Sequence, residues 1–237
     1  MWKEWRSLFR QPGSRTRMIL TVAIPIGYFG IFWPIQDGAD FVTGADPWFV
    51  AIVVPLLTVV MTAPDSFAGE RERKTLRTLL ASRLPDSAIL WAKILFSELL
   101  GIGMMLFTLS LALVVVNIVD GGNGLTLIAA DRMAYMLAVS LLLSAIASGA
   151  AVLISLRATT VQQAQQTLAA AFFLIPTILG PIVLIMSRDS DTRPLEKLFQ
   201  ALGTPAGRLV LIAGLGVLAA ILLVSARVRF QRSRLAS

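Results

Sequence analysis

The chain has 237 residues, of which 56% are hydrophobic and only 15% charged, with a net charge of +7 and a mean hydropathy of +0.77. It contains no cysteine and no histidine, which removes disulfides, thiol nucleophiles, haem ligation by histidine and the usual zinc sites. Several runs reach the ~18–20 apolar residues that a bilayer crossing needs. The composition therefore points to an all-α, polytopic membrane protein, and its positive charge is read from its distribution along the loops rather than as nucleic-acid binding.

In chain order, residues 1–15 alternate Trp2, Trp5, Leu8 and Phe9 with Lys3, Arg6 and Arg10, the pattern of a helix lying in the membrane interface. Because no small-residue cleavage site follows the first apolar run, this segment does not read as a cleaved signal. Pro12-Gly13 turns it into a first span over Arg17–Ile35, followed by a short acidic loop, Asp37–Pro47, and a second span over Trp48–Pro64. Residues 65–86 then break the apolar pattern with Glu70, Arg71, Glu72, Arg73 and Lys74. Glu70 and Lys74 stand in the favoured order for an i,i+4 ion pair, and Leu76, Leu79 and Leu80 form an apolar stripe. Pro85 stops this helix, and Asp86 is suited to cap the next one.

A third span is expected from about Ser87 to Val119, long enough for its first turns to project beyond the hydrocarbon. A glycine-rich loop, Asp120–Asp131, leads to a fourth span, Arg132–Leu156, and Arg157–Gln166 reads as a short polar connection. A fifth span, Thr167–Met186, a polar loop over 188–207, a sixth span, Arg208–Ser225, and a basic tail over 227–237 complete a single transmembrane domain. Six spans put both termini on one side, with sixteen of the 21 basic residues there. The positive-inside rule makes that side cytoplasmic, and the 65–86 segment with it. In the tail, basic residues suit anionic lipid; in 65–86 the interleaved Asp65, Glu70, Glu72 and Asp86 suit a mixed-charge protein partner better.

The run GERERKTLRTLLASRLPDSAILWAK resembles the first cytoplasmic loop of permease subunits of the ABC-2 family of ATP-binding-cassette transporters. Glu70, Arg71, Glu72, Lys74, Thr75, Leu76, Leu79, Leu80, Pro85, Ala92 and Lys93 fall at the family's positions, although Lys74 stands where a glycine is commoner and Arg83-Leu84 precede the proline. The resemblance implies a six-helix half-transporter working with a second permease copy and two separate ATPase subunits, which would carry the ATP and magnesium. It implies that Glu70, Arg71, Glu72, Arg73, Lys74, Thr75, Leu76, Leu79 and Leu80 form a coupling helix for the ATPase. Arg157, Thr159 and Gln162 would make a weaker second contact. It also implies export across a bacterial inner membrane.

Other features weigh less. Gly69 to Thr75 echoes a phosphate-binding loop but lacks the glycine before Lys74 and carries two glutamates that would repel phosphate, so no nucleotide site is expected on this chain. Glu98, counted back from Val119, is expected at the membrane interface rather than in its depth. Ser140, Ser144, Ser148 and Gly149 suit close helix packing rather than a polar path. Pro25, Pro34, Pro55, Pro176 and Pro181 can bend their spans. Asp189 and Asp191 are assigned no chemistry, and no catalytic pair occurs. Alternatives are a haem-exporter-like permease of cytochrome c maturation, a secondary transporter, disfavoured by the lack of deep acids, and a membrane scaffold.

Because the chain lacks cysteine, the topology can be read by single-cysteine labelling. A cysteine at Gly122 should react with a membrane-impermeant maleimide on intact cells, and one at Thr78 only after permeabilisation. The reverse pattern would invert the topology.

Overall fold

The computed structural model describes residues 23–72, 85–120, 124–174, 177–178 and 204–230. Among these residues the protein is all helix, with no strand. The expected interfacial helix over 1–15, most of the 188–207 loop and the tail beyond Phe230 lie outside the described residues.

We label the helices α1 (residues 23–37), α2 (Ala39–Thr43), α3 (Asp46–Glu72), α4 (Asp86–Val119), α5 (Ala130–Ser155), α6 (Val161–Ala169) and α7 (Pro205–Arg229). Four of them, α3, α4, α5 and α7, are long and apolar enough to cross a membrane. The first and fifth expected spans are described in part, as α1 and as α6 with its continuation.

Several boundaries differ from expectation. The segment Asp37–Pro47 is not a plain loop: α2 tucks Phe41 and Val42 into the core, where they are 0% and 3% exposed. The second span ends near Pro64 as expected, its apolar stretch running Asp46–Asp65, but the helix does not: α3 continues to Glu72, because Ala68, Glu70, Arg71 and Glu72 are good helix formers beyond the apolar run. At ~1.5 Å per residue its 27 residues make a rod of about 40 Å, longer than the ~30 Å hydrocarbon layer. Helix α4 begins at Asp86, with the Pro85 carbonyl accepting from the N–H groups of Ala88 and Ile89, so Asp86 lies in the first turn rather than at the cap. Helix α7 starts early, with Thr204 as N-cap accepting from Gly207 N–H at 3.1 Å and Pro205 next to it. It ends late, drawing Arg227 and Arg229 of the basic segment into its last turn, where cations complement the helix dipole.

Two turns are widened to the π form, Tyr28–Phe32 in α1 and Ala170–Leu174 after α6. In the first, the Trp33 N–H donates to the Tyr28 carbonyl, five residues back. The first widened turn ends two residues before Pro34. A proline has no N–H and crowds the carbonyl four residues before it, and loosening the preceding turn relieves that crowding.

Two compact units divide the chain, Met1–Thr58 with Leu95–Leu141 and Val59–Ile94 with Leu142–Ser237. The first is built round Val50, Ala51 and Val54 of α3, Met105, Leu109, Ala112 and Val116 of α4, and Met136 of α5. Its distinctive joint is at Pro55. That residue cannot donate to the Ala51 carbonyl, and the Ser140 hydroxyl donates to it instead at 2.5 Å, sharing its proton with Met136 O at 2.7 Å. Gly101 lets α4 lie against the same place: a Cβ there would be 3.3 Å from Pro55 O. At the α5 start, Arg132 donates to the carbonyls of Val42 at 2.8 Å, Thr43 at 3.1 Å and Gly44, closing the end of α2. Asn117 closes the loop after α4, donating to Thr126 O at 2.9 Å and accepting Thr126 N–H at 2.8 Å. Gly38, at φ 52°, sits against the Asp120 carboxylate, which leaves no room for a side chain.

In the second unit, Ile89, Leu90 and Ile94 of α4 pack with Val152 of α5 and with Ala226 and Phe230 at the end of α7. Gly149 admits α7 closely: a Cβ would lie 3.0 Å from Leu222 Cβ and 3.3 Å from its backbone carbon. Ser144 and Ser148 are fully buried on the same helix, as the small-residue reading requires. Outward-facing Leu209, Val210, Val217, Ile221 and Val224 on α7 are more than half exposed, the surface of a helix bathed in hydrocarbon.

Ser140→Ala should cost about 1 kcal/mol through loss of the donor to Ala51. In a Pro55→Ala background, where position 55 regains its N–H, the same change should cost little. Thermal unfolding of the four proteins in detergent measures the cycle; equal costs in both backgrounds would show that Ser140 acts by packing alone.

Candidate functional site

The residues singled out in the sequence fall at the end of α3 and the turn between α5 and α6. Of the first group, Glu72 is described in full; Glu70 and Arg71 are helical, but their side chains lie outside the described residues. Arg73, Lys74, Thr75, Leu76, Leu79 and Leu80 also lie outside them. Of the second group, Arg157 and Thr159 are exposed in the turn, and Gln162 is exposed on α6.

The expected connection Arg157–Gln166 is shorter than the sequence suggested, because α6 begins at Val161 and takes in all four glutamines. Its start is a capping box displaced by one residue. Thr160 accepts from Gln163 N–H at 3.1 Å, and Gln163 Oε1 reaches back to accept from the N–H and hydroxyl of Thr159, both at 3.0 Å. The Thr-x-x-Gln spacing was present in the sequence and is the signal that would have found this start.

This cap leaves the N–H of Val161 unserved, and Glu72 takes it: Oε1 accepts from Val161 N–H at 2.9 Å. The end of α3 and the start of α6 are therefore joined by a carboxylate on a helix N-terminus, the arrangement the helix dipole favours. Beneath the bond lies a small apolar contact of Ala68, Ala158 and Ala164, with Ile154 and Val161 against it. One turn earlier on α3, a Cβ at Gly69 would be 3.6 Å from Val161 Cγ2. One turn further along α6, Gln165 Nε2 donates to Met61 O at 2.8 Å, next to the Val60 carbonyl that Pro64 deprives of its donor. The structure thus brings Glu72 of the first segment onto the second, a pairing that hydropathy and spacing did not reveal.

Two other places were considered. Lys93 and Glu98 of α4 are buried, 6% and 7% exposed, and neither lacks a partner. A shallow cavity of about 340 Å³ is lined by Gln36, Asp37, Asp40 and Asp120. Among the described residues no group of acidic side chains is arranged to hold a metal ion.

Four helices long and apolar enough to cross a membrane define an integral multi-pass membrane protein. The chain belongs to the ABC-2 type transporter family, whose pattern it matches over residues 1–188. It is a transmembrane permease component of that family, which is generally non-catalytic. No curated protein and no solved structure matches it.

Thr160→Ala should remove the α6 cap, at a cost of about 1 kcal/mol. Hydrogen exchange at Gln163 and Ala164 should accelerate, while Thr160→Asn should keep the native rate. Unchanged exchange in the alanine variant would mean that Glu72 alone fixes the helix start.

Proposed function

We propose that this protein is the membrane-spanning subunit of an ATP-driven exporter, forming the translocation pathway and taking its energy from a separate ATPase. The observation that carries the reading is membership of the ABC-2 type transporter family over residues 1–188. Members of that family normally work with an ATPase and dimerise, so the assembly is two permease copies and two ATPases, with ATP and magnesium held by the latter. The membrane is a bacterial inner membrane, and both termini face the cytoplasm, as the excess of basic residues at that side favours.

In this reading the charged segment over 65–86, which the end of α3 enters, carries the ATPase contact. Glu70, Arg71, Arg73, Lys74 and Thr75 offer charges and hydrogen bonds of both senses to a mixed-charge groove, and Leu76, Leu79 and Leu80 supply apolar grip. Glu72 belongs to the same segment and joins it to the second contact at Arg157, Thr159 and Gln162. Helix α4, about 50 Å long at ~1.5 Å per residue, carries displacement of the segment into the bundle.

The charge-reversed pair Glu70→Arg and Arg71→Glu should weaken ATPase co-purification about tenfold or more, while leaving the permease inserted and monodisperse in detergent. Undiminished co-purification would remove the contact from this segment, and a wild-type protein that binds no ATPase would overturn the exporter reading itself.

A further inference from the structure

Two connections on this chain are proposed to touch the ATPase, and they lie 89 residues apart in sequence. Three observations tie them mechanically. The Glu72 carboxylate bonds the Val161 N–H at 2.9 Å, an N-terminal donor that the helix does not serve itself, whereas the N–H groups of Gln163 and Ala164 donate to Thr160. Ala68, Ala158 and Ala164, at 2%, 5% and 0% exposure, form a contact without long side chains to absorb sliding. Gln165 adds a bond to the Met61 carbonyl at 2.8 Å, about three turns before Glu72 on α3. A carboxylate bond, an apolar seat and an amide bond spread along one helix prevent α6 from pivoting about any single contact.

From this geometry we infer that Glu72 is a positioning residue that clamps the start of α6 to the end of α3, so that a push on either cytoplasmic connection moves both. The inference rests on the proposed ATPase coupling for its use, but the clamp itself is a property of this chain alone. It gives Glu72 a task separate from docking. Glu72 is exposed, yet one carboxylate oxygen is committed to Val161, and what that bond requires is an acceptor atom at the right reach. A glutamine supplies such an atom and lacks the negative charge that a basic docking groove would need.

The test uses two variants and two measurements on the full-length protein in nanodiscs. In the permease alone, hydrogen exchange at Val161–Ala164 reads the clamp. Glu72→Ala should raise it about tenfold, and Glu72→Gln by no more than about threefold, since a neutral acceptor forms the weaker bond. In the complex with the ATPase, a fluorophore on Gln166→Cys, at an exposed position of α6 in a chain without other cysteines, reads the movement that ATP produces. Its ATP-induced signal should fall about fivefold or more in Glu72→Ala and be largely recovered in Glu72→Gln. Native exchange in Glu72→Ala would overturn the clamp. Raised exchange with an undiminished ATP signal would overturn its role in joint movement. Loss of ATPase binding in Glu72→Gln as in Glu72→Ala would assign the residue to charge-based docking instead. If the wild-type chain binds no ATPase, the earlier functional reading fails while the exchange measurement still judges the clamp.

Discussion

The constraint behind this structure is that a helix in hydrocarbon has no water to complete its backbone hydrogen bonds, so every interruption must be repaired from within the protein. Pro55 removes the donor to the Ala51 carbonyl, and the Ser140 hydroxyl of a neighbouring helix supplies one. Where α2 ends, Arg132 spreads its guanidinium over three successive carbonyls; a lysine ammonium could not span them in the same plane. Where α4 gives way to a loop, Asn117 pairs with both backbone groups of Thr126. At each of these places a polar side chain supplies what the backbone lacks.

The contact between α3 and α6 belongs to the same set, which is why it is more than an incidental surface bond. An N–H at a helix start has no partner within the helix, and a carboxylate at that end also opposes the positive pole of the helix. A repair of this kind joins the two helices it spans. A residue chosen by its charge pattern as a contact for another protein can serve the fold of its own chain first.

The apolar runs that predicted the second, third, fourth and sixth spans were readable because bilayer thickness imposes a minimum length on each. Their ends were less so. The second span does end near Pro64, where hydropathy falls, yet helix geometry does not depend on hydropathy and α3 continues to Glu72. The start of α6 was hidden by four glutamines that read as connection, although Thr160 and Gln163 carried the capping signal. The tasks of Arg132, readable only as the first residue of the fourth span, and of Asn117 were not legible, since their partners are backbone atoms, which no side-chain pattern records. The pairing of Glu72 with Val161 joins residues 89 positions apart, and one sequence contains nothing that links them.

The widened turn at Tyr28–Phe32 has a geometric effect on the rest of α1. It adds one residue to a turn, and one residue in an α-helix corresponds to about 100° of rotation. The stripe of side chains facing a given neighbour before such a turn is consequently out of phase with the stripe facing it afterwards. A single span can in this way present one azimuth to its packing partner at one depth of the bilayer and a different azimuth at another, without bending its axis.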